Sequence, residues 1–150
     1  MTKLLCAFLL LVCSSDLLTA QMADPVKWQF SSEALGGSEY LLTFKADVET
    51  GWFIYSQHLD EGGPIPTTFE FEKQTGVELL GALSETGKRK EGYDELFDMN
   101  IVKFGGETIF QQKIKVNETV ANVKGYLTFM TCNHETCLPP VDVDFSFDLQ

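Results

Sequence analysis

From Tyr40 onward the chain alternates apolar and polar residues with period two, the mark of strands that bury one face. In Tyr40 to Val48, Leu42, Phe44, Ala46 and Val48 fall on one side and Thr43, Lys45 and Asp47 on the other. After the turn Glu49-Thr50-Gly51, Trp52 and Ile54 continue the pattern. Phe69 and Phe71 alternate with Glu70 and Glu72. In Thr108 to Val116, Phe110, Gln112, Ile114 and Val116 oppose Ile109, Gln111, Lys113 and Lys115. The cleanest run sets Val141, Val143, Phe145, Phe147 and Leu149 against Asp142, Asp144, Ser146 and Asp148. The runs are short, and Gly36-Gly37, Gly62-Gly63-Pro64, Gly105-Gly106 and Asn117-Glu118 punctuate them. No stretch longer than one turn has helical period. About seven to nine short strands with this spacing predict an all-β fold, an antiparallel immunoglobulin-like β-sandwich. Ser84 to Asn100 breaks the pattern. It is polar yet carries Tyr93, Leu96, Phe97 and Met99, and it reads as a long loop that packs over something or binds something.

The N-terminus adds an address. Lys3, the apolar run Leu4 to Val12, and small and polar residues up to Ala20 read as a signal peptide over 1–20, cleaved after Ala20. The apolar run is far shorter than the roughly 20 residues of a membrane span. Lipid attachment at Cys13 is disfavoured, because a small residue normally precedes such a cysteine and Val12 is not small. Residues 24–150 then read as one domain without repeat, low-complexity tract or linker, free of the membrane after cleavage. The 150 residues include 22 Asp+Glu and 11 Lys+Arg, for a net charge of −11. That balance argues against nucleic-acid binding, which needs clustered Lys and Arg. The basic cluster Lys88-Arg89-Lys90 reads as a solvated turn.

Export places the two cysteines that remain, Cys132 and Cys137, where disulfides form and persist. Four residues separate them, with strands on both sides. A four-residue hairpin connection would bring the two cysteines face to face. Facing Cα atoms in a non-hydrogen-bonded pair lie about 4.5 Å apart, within reach of a disulfide. Closing so short a ring contributes only about 2 kcal/mol by loop entropy, against about 4–5 for a bond spanning most of the domain. Low stabilising value at an accessible loop tip favours exchange chemistry over a structural role. A second reading is a non-catalytic immunoglobulin-like binding module with a structural hairpin disulfide. A third is a small metal-binding envelope protein that ligates zinc or copper(I) through Cys132, His134 and Cys137, with His58, Met99 and Met130 as further donors. Structural zinc prefers four ligands, so no metal or other cofactor is assigned. His134 reads as an exposed loop residue that, when protonated, would stabilise a neighbouring thiolate. Pro139-Pro140 removes two backbone donors after Cys137 and holds the exit from the loop extended.

Cys-Asn-His-Glu-Thr-Cys-Leu-Pro-Pro, residues 132–140, followed by an alternating strand, resembles the N-terminal periplasmic domain of the thiol:disulfide interchange protein DsbD. Gly51-Trp52-Phe53-Ile54-Tyr55-Ser56 is similar to that family's early strand motif, and Tyr93-Asp94-Glu95-Leu96-Phe97 to its cap loop. The resemblance implies an immunoglobulin-like fold and a Cys132–Cys137 pair that cycles between dithiol and disulfide. It implies that Cys137 forms the mixed disulfide with partners and Cys132 resolves it. Phe97, with Tyr93 second, would shield the cysteines, and Tyr55 would modulate the site. Asp94 and Glu95 would place negative charge nearby and raise a thiol pKa. The activity implied is of the protein-disulfide reductase type. In that family electrons come from a thioredoxin-like domain fed by a membrane domain. They pass to thioredoxin-like periplasmic proteins, such as a disulfide isomerase or the cytochrome c maturation thioredoxin. This chain departs from the pattern in having one residue fewer between its cysteines than the best-known members. It also shows no multi-span membrane domain and no C-terminal thioredoxin-like domain. The expectation is therefore a stand-alone version that other proteins reduce.

Overall fold

A computed structural model describes residues 23–149. The expected signal peptide, its cleavage point after Ala20 and Cys13 lie outside the described residues. Nine strands follow one another: β1 (Val26–Gly36), β2 (Glu39–Val48), β3 (Phe53–Tyr55), β4 (Thr68–Phe71), β5 (Val77–Asp94), β6 (Met99–Val116), β7 (Asn122–Phe129), β8 (Thr131–Cys132) and β9 (Val141–Asp148). All pairings are antiparallel. Among the described residues there is no helix, and so none long and apolar enough to cross a membrane.

The larger sheet is organised on β6. Along one side it pairs with β5 from Asp94↔Met99 to Val77↔Val116. Along the other side it pairs first with β3 and then with β2, through Ile54↔Phe104 and Val48↔Gly106. β2 and β3 are thus one strand interrupted by the turn at residues 49–52. That turn is closed by the Trp52 amide donating to the Glu49 carbonyl at 3.0 Å, with Gly51 at φ +90°. β1 lies outside β2, and β8 lies outside β3. The smaller sheet has the order β4-β7-β9. The two sheets pack face to face as an immunoglobulin-like sandwich, the expected fold class.

The alternation expected from the sequence sets the core. Leu42, Phe44 and Ala46 of β2 and Phe110 and Ile114 of β6 are fully buried, with Ile54, Phe104, Val123, Leu127, Phe145 and Phe147. Phe44 sits at the centre, its ring centroid 4.7 Å from Phe69, 4.9 Å from Phe145 and 5.1 Å from Phe147. Offset and edge-on aromatic contacts of this kind add to the burial of the rings themselves. Gln112 shares the buried face. Its amide donates to the carbonyls of Leu80 and Lys113 at 3.2 and 2.8 Å, which removes the penalty of burying it.

Ser84 to Asn100 differs from the expected long loop. Its residues up to Asp94 belong to β5, Met99 and Asn100 open β6, and only Glu95 to Asp98 form the connecting turn. The basic cluster Lys88-Arg89-Lys90 is likewise in the strand, not in a solvated turn. The reason is that β5 is an edge strand. Its backbone groups are satisfied by β6 on one side, so it needs no buried apolar face of its own.

Gly125 in β7 is placed by close approach. A Cβ there would lie 2.1 Å from the Glu70 carbonyl oxygen and 2.5 Å from the Phe145 ring. Both are fixed, one by the β4 backbone and the other by the core. We expect Gly125→Ala to destabilise the protein by about 2–3 kcal/mol or more, read as a lower urea midpoint. An unchanged midpoint would mean that β4 and β7 are not packed in this way.

Candidate functional site

Successive side chains of a strand point to opposite faces. In β3 this sends Ile54 into the sandwich core and Phe53 and Tyr55 to the outer face of the larger sheet. β8 obeys the same rule. Thr131 is buried, and its hydroxyl donates to the Phe53 carbonyl at 2.9 Å. Cys132, opposite Phe53 in the ladder, points outward. There Tyr55, Ile101 and Cys132 form a second apolar cluster, separate from the sandwich core, with Leu59, Phe97, Met99, Met130 and Cys137 packed against it.

Cys132 and Cys137 are joined by a disulfide with Cα atoms 4.0 Å apart. The Asn133 amide donates to the Thr136 carbonyl and the Leu138 amide to the Thr131 carbonyl, both at 2.9 Å. The cysteines are therefore a non-hydrogen-bonded antiparallel pair at the end of a four-residue hairpin, as the spacing suggested. The Asn133 side chain fixes the loop by accepting from the amides of Glu135 and Thr136, each at 2.8 Å. The two sulfurs have unequal surroundings. Cys132 is 2% exposed. Cys137, on the outer side of β8, is only half-buried. In an edge disulfide with one cysteine only partly buried, an outside thiolate has its approach from the side of that cysteine.

Phe97 closes one side of the cluster, its ring edge-on to Tyr55 with centroids 5.8 Å apart. Tyr93 lies at the end of β5 and is mostly exposed, its hydroxyl bonded to Asp98. Glu95 is exposed in the turn. On the other side the Gly63 backbone passes so close to Met99 that a Cβ would meet its sulfur at 2.6 Å. Met130 accepts a hydrogen bond from the Ile65 amide at 3.4 Å. Both methionines serve here as apolar packing around the cysteines. A cleft of about 270 Å³ beside the cluster is lined by Tyr55, Tyr93, Asp94, Leu96, Lys103 and His134, among others.

The charges differ from a simple acidic surround. Asp94 is paired with Lys103 at 2.6 Å, and both are largely buried. Burial works to raise the Asp94 carboxyl. The hydrogen bond and charge of Lys103 and the amides of Leu96 and Phe97 outweigh it, so the carboxyl sits below its ordinary value. Tyr55 is held well above the ordinary phenol value, chiefly by burial and then by the Asp94 charge, so it stays neutral. His134 is exposed, its ring 6.1 Å from that of Phe53. The ammonium groups of Lys90 and Lys103 stand 4.6 and 4.9 Å from the centre of the Phe53 ring. Among the described residues no group of three His, Cys, Asp or Glu side chains is arranged to hold a metal ion.

The structure thus gathers Cys132, Cys137, Tyr55 and Phe97 in one cluster, with Asp94, Tyr93 and His134 along the adjoining cleft. Sequence reasoning did not single out Ile101 or Lys103. The alternation Met99-Ile101-Lys103 marks both as facing the site, and it was hidden by reading the segment before it as a loop.

A family model for the N-terminal part of the thiol:disulfide interchange protein DsbD matches residues 19–149. The solved DsbD N-terminal domain of Neisseria meningitidis, in its reduced form, is 18% identical with a TM-score of 0.50, over 79% of this chain and 83% of that one. The N-terminal periplasmic domain of ScsB from Proteus mirabilis is 16% identical with a TM-score of 0.56, over 82% of this chain and 45% of that one. At these identities the structural likeness speaks for the fold alone. A search of curated proteins finds no match.

The depressed Asp94 carboxyl has a pH consequence. A group whose folded pKa is lowered adds stability above its ordinary pKa and loses it as the pH falls through the folded value. We expect Asp94→Asn to unfold at lower temperature than the parent near pH 7, and the difference to shrink as the pH falls below the ordinary carboxylate value of about 4. A constant difference across that range would mean that the Lys103 pair is not the cause.

Proposed function

The chain belongs to the family of the DsbD N-terminal domain, and on that footing we propose that it exchanges dithiol for disulfide with partner proteins in the periplasm through Cys132 and Cys137. The observation that carries the reading is the unequal burial of the two cysteines within a short edge hairpin. In the reduced form the Cys137 thiolate attacks a partner's disulfide. One partner sulfur leaves as a thiolate, and a mixed disulfide forms. Cys132, deprotonated in turn, attacks the Cys137 sulfur and releases the second partner thiolate. Two electrons pass to the partner, whose two thiolates take up protons, and the Cys132–Cys137 bond is restored. A reduced dithiol protein on the donor side reverses the sequence. Thioredoxin-like proteins fit both roles, because the cysteine hairpin lies at the edge of the larger sheet, where a partner's exposed cysteine can approach.

In this reading Phe97 is the cap. It packs on Tyr55 and the cysteine cluster from a four-residue turn that can move without disturbing the sandwich core. Asp94 and Tyr93 hold that turn, through Lys103 and Asp98 respectively. Tyr55 forms the apolar floor. His134 stands at the rim, in the loop between the two cysteines.

Three results test the proposal. Equilibration with glutathione or dithiothreitol buffers should place the Cys132–Cys137 couple between about −180 and −270 mV, where exchange proteins lie. A value below about −300 mV would mark a structural disulfide and support the binding-module reading instead. Cys137→Ser should keep its fold by circular dichroism and lose disulfide reduction of an insulin or thioredoxin-like substrate. Phe97→Ala should speed reduction of the disulfide by dithiothreitol by about threefold to tenfold, through lost coverage; an unchanged rate would remove the cap.

A further inference from the structure

Lys88 and Lys90 stand two residues apart on β5 and so share a face, the outer face that carries Phe53 and the cysteines. Both line a cleft of about 210 Å³ whose walls are the turn Glu49–Trp52, Phe53 and the backbone of Gly105-Gly106. Lys88 lies along Gly106, where a Cβ would come within 3.6 Å of its side chain. Lys90 lies over the Phe53 ring. Directly across the ladder from Lys90 is a third lysine, Lys103, which Asp94 neutralises.

Neither Lys88 nor Lys90 forms an ion pair with any described carboxylate, although Glu49 lines the same cleft. The chain has 22 Asp and Glu for 11 Lys and Arg. Arg89, between the two lysines, is paired with Glu91. Like charges on neighbouring positions of a sheet oppose one another. Two adjacent uncompensated ammonium groups, in a protein with twice as many acids as bases, lack a counter-charge that the fold could readily supply. Phe53, which lines the cleft, is also the ladder partner of Cys132, so one residue separates the cleft from the disulfide strand.

We propose that Lys88 and Lys90 form a docking site for an extended acidic segment of a partner protein, with carboxylates two residues apart matching the lysine spacing of about 7 Å along the strand. The site rests on the exchange reading only for what the docked protein does next. Binding itself involves no electron transfer and can be measured on the oxidised protein.

Trp28 and Trp52 both pack against the sandwich core, but only Trp52 also lines the cleft, so a saturable change in tryptophan emission reports occupancy there. A hexaglutamate peptide titrated into the full chain at about 20 mM salt should change that emission saturably, and the change should be lost at about 300 mM salt. K88Q/K90Q should weaken binding by about tenfold or more, at unchanged circular dichroism. K115Q/K124Q removes the same charge from two other unpaired lysines and should weaken binding by less than about twofold. No saturable change with the parent protein, or equal weakening by the two double variants, overturns the proposal. Neither result bears on whether Cys132 and Cys137 exchange, which the reduction potential and Cys137→Ser decide.

Discussion

The site depends on one constraint of strand geometry, that neighbouring residues must face opposite ways. At Phe53–Tyr55 both faces are buried, although only one of them belongs to the sandwich. Ile54 anchors the strand in the main core, and this fixes Phe53 and Tyr55 outward. The short strand Thr131–Cys132 is registered against it by backbone pairing and by the Thr131 hydroxyl. With Thr131 turned in, Cys132 can only point out, into the floor that Tyr55 provides. A slip of one residue would exchange the two faces and place the cysteine in the sandwich core. The cysteines are outside the core by register, and the loops around them complete their cover.

The electrostatic setting follows from the same face. Lys103, Ile101 and Met99 alternate outward along β6, so a cation and an apolar strip lie side by side next to the cysteines. Asp94 meets Lys103 there, and the pairing largely cancels the negative field that an isolated carboxylate would impose on a thiol. Glu95, exposed at the rim of the cleft, is screened by solvent. The pair also pins the end of β5, from which the turn carrying Phe97 departs. The acidic residues of this segment thus act through position as much as through charge.

Much of this was legible in the sequence where one face of a strand is apolar. Leu42 to Val48, Phe110 to Val116 and Phe145 to Leu149 alternate cleanly because each faces the single core. The cysteine hairpin was legible from spacing, since a four-residue connection admits few arrangements. β1 was passed over even though Trp28 and Phe30 alternate with Lys27 and Gln29, because its outer half, from Ser31, is exposed on both faces and keeps no period of two. β5 was read as a loop for a related reason. An edge strand is held by its neighbour's backbone, which leaves no trace in the side-chain pattern. Of the second cluster, Tyr55, Phe97 and the cysteines were brought together only by the resemblance, and Ile101 was missed because its alternation with Met99 and Lys103 opens β6 at the end of the segment read as a loop.

The ring closed by the disulfide contains six residues and lies on the outside of the sheet. Folding and oxidation form a thermodynamic square. The potential of the couple in the folded protein can differ from that in the unfolded chain only by the stability that the bond confers. A ring this short confers about 2 kcal/mol by chain entropy, which for a two-electron couple is about 40 mV. In the proposed exchange the sandwich therefore neither powers nor resists the redox step to any great extent. It works as an inert chassis, and the poise of the couple is left to the few groups around the sulfurs.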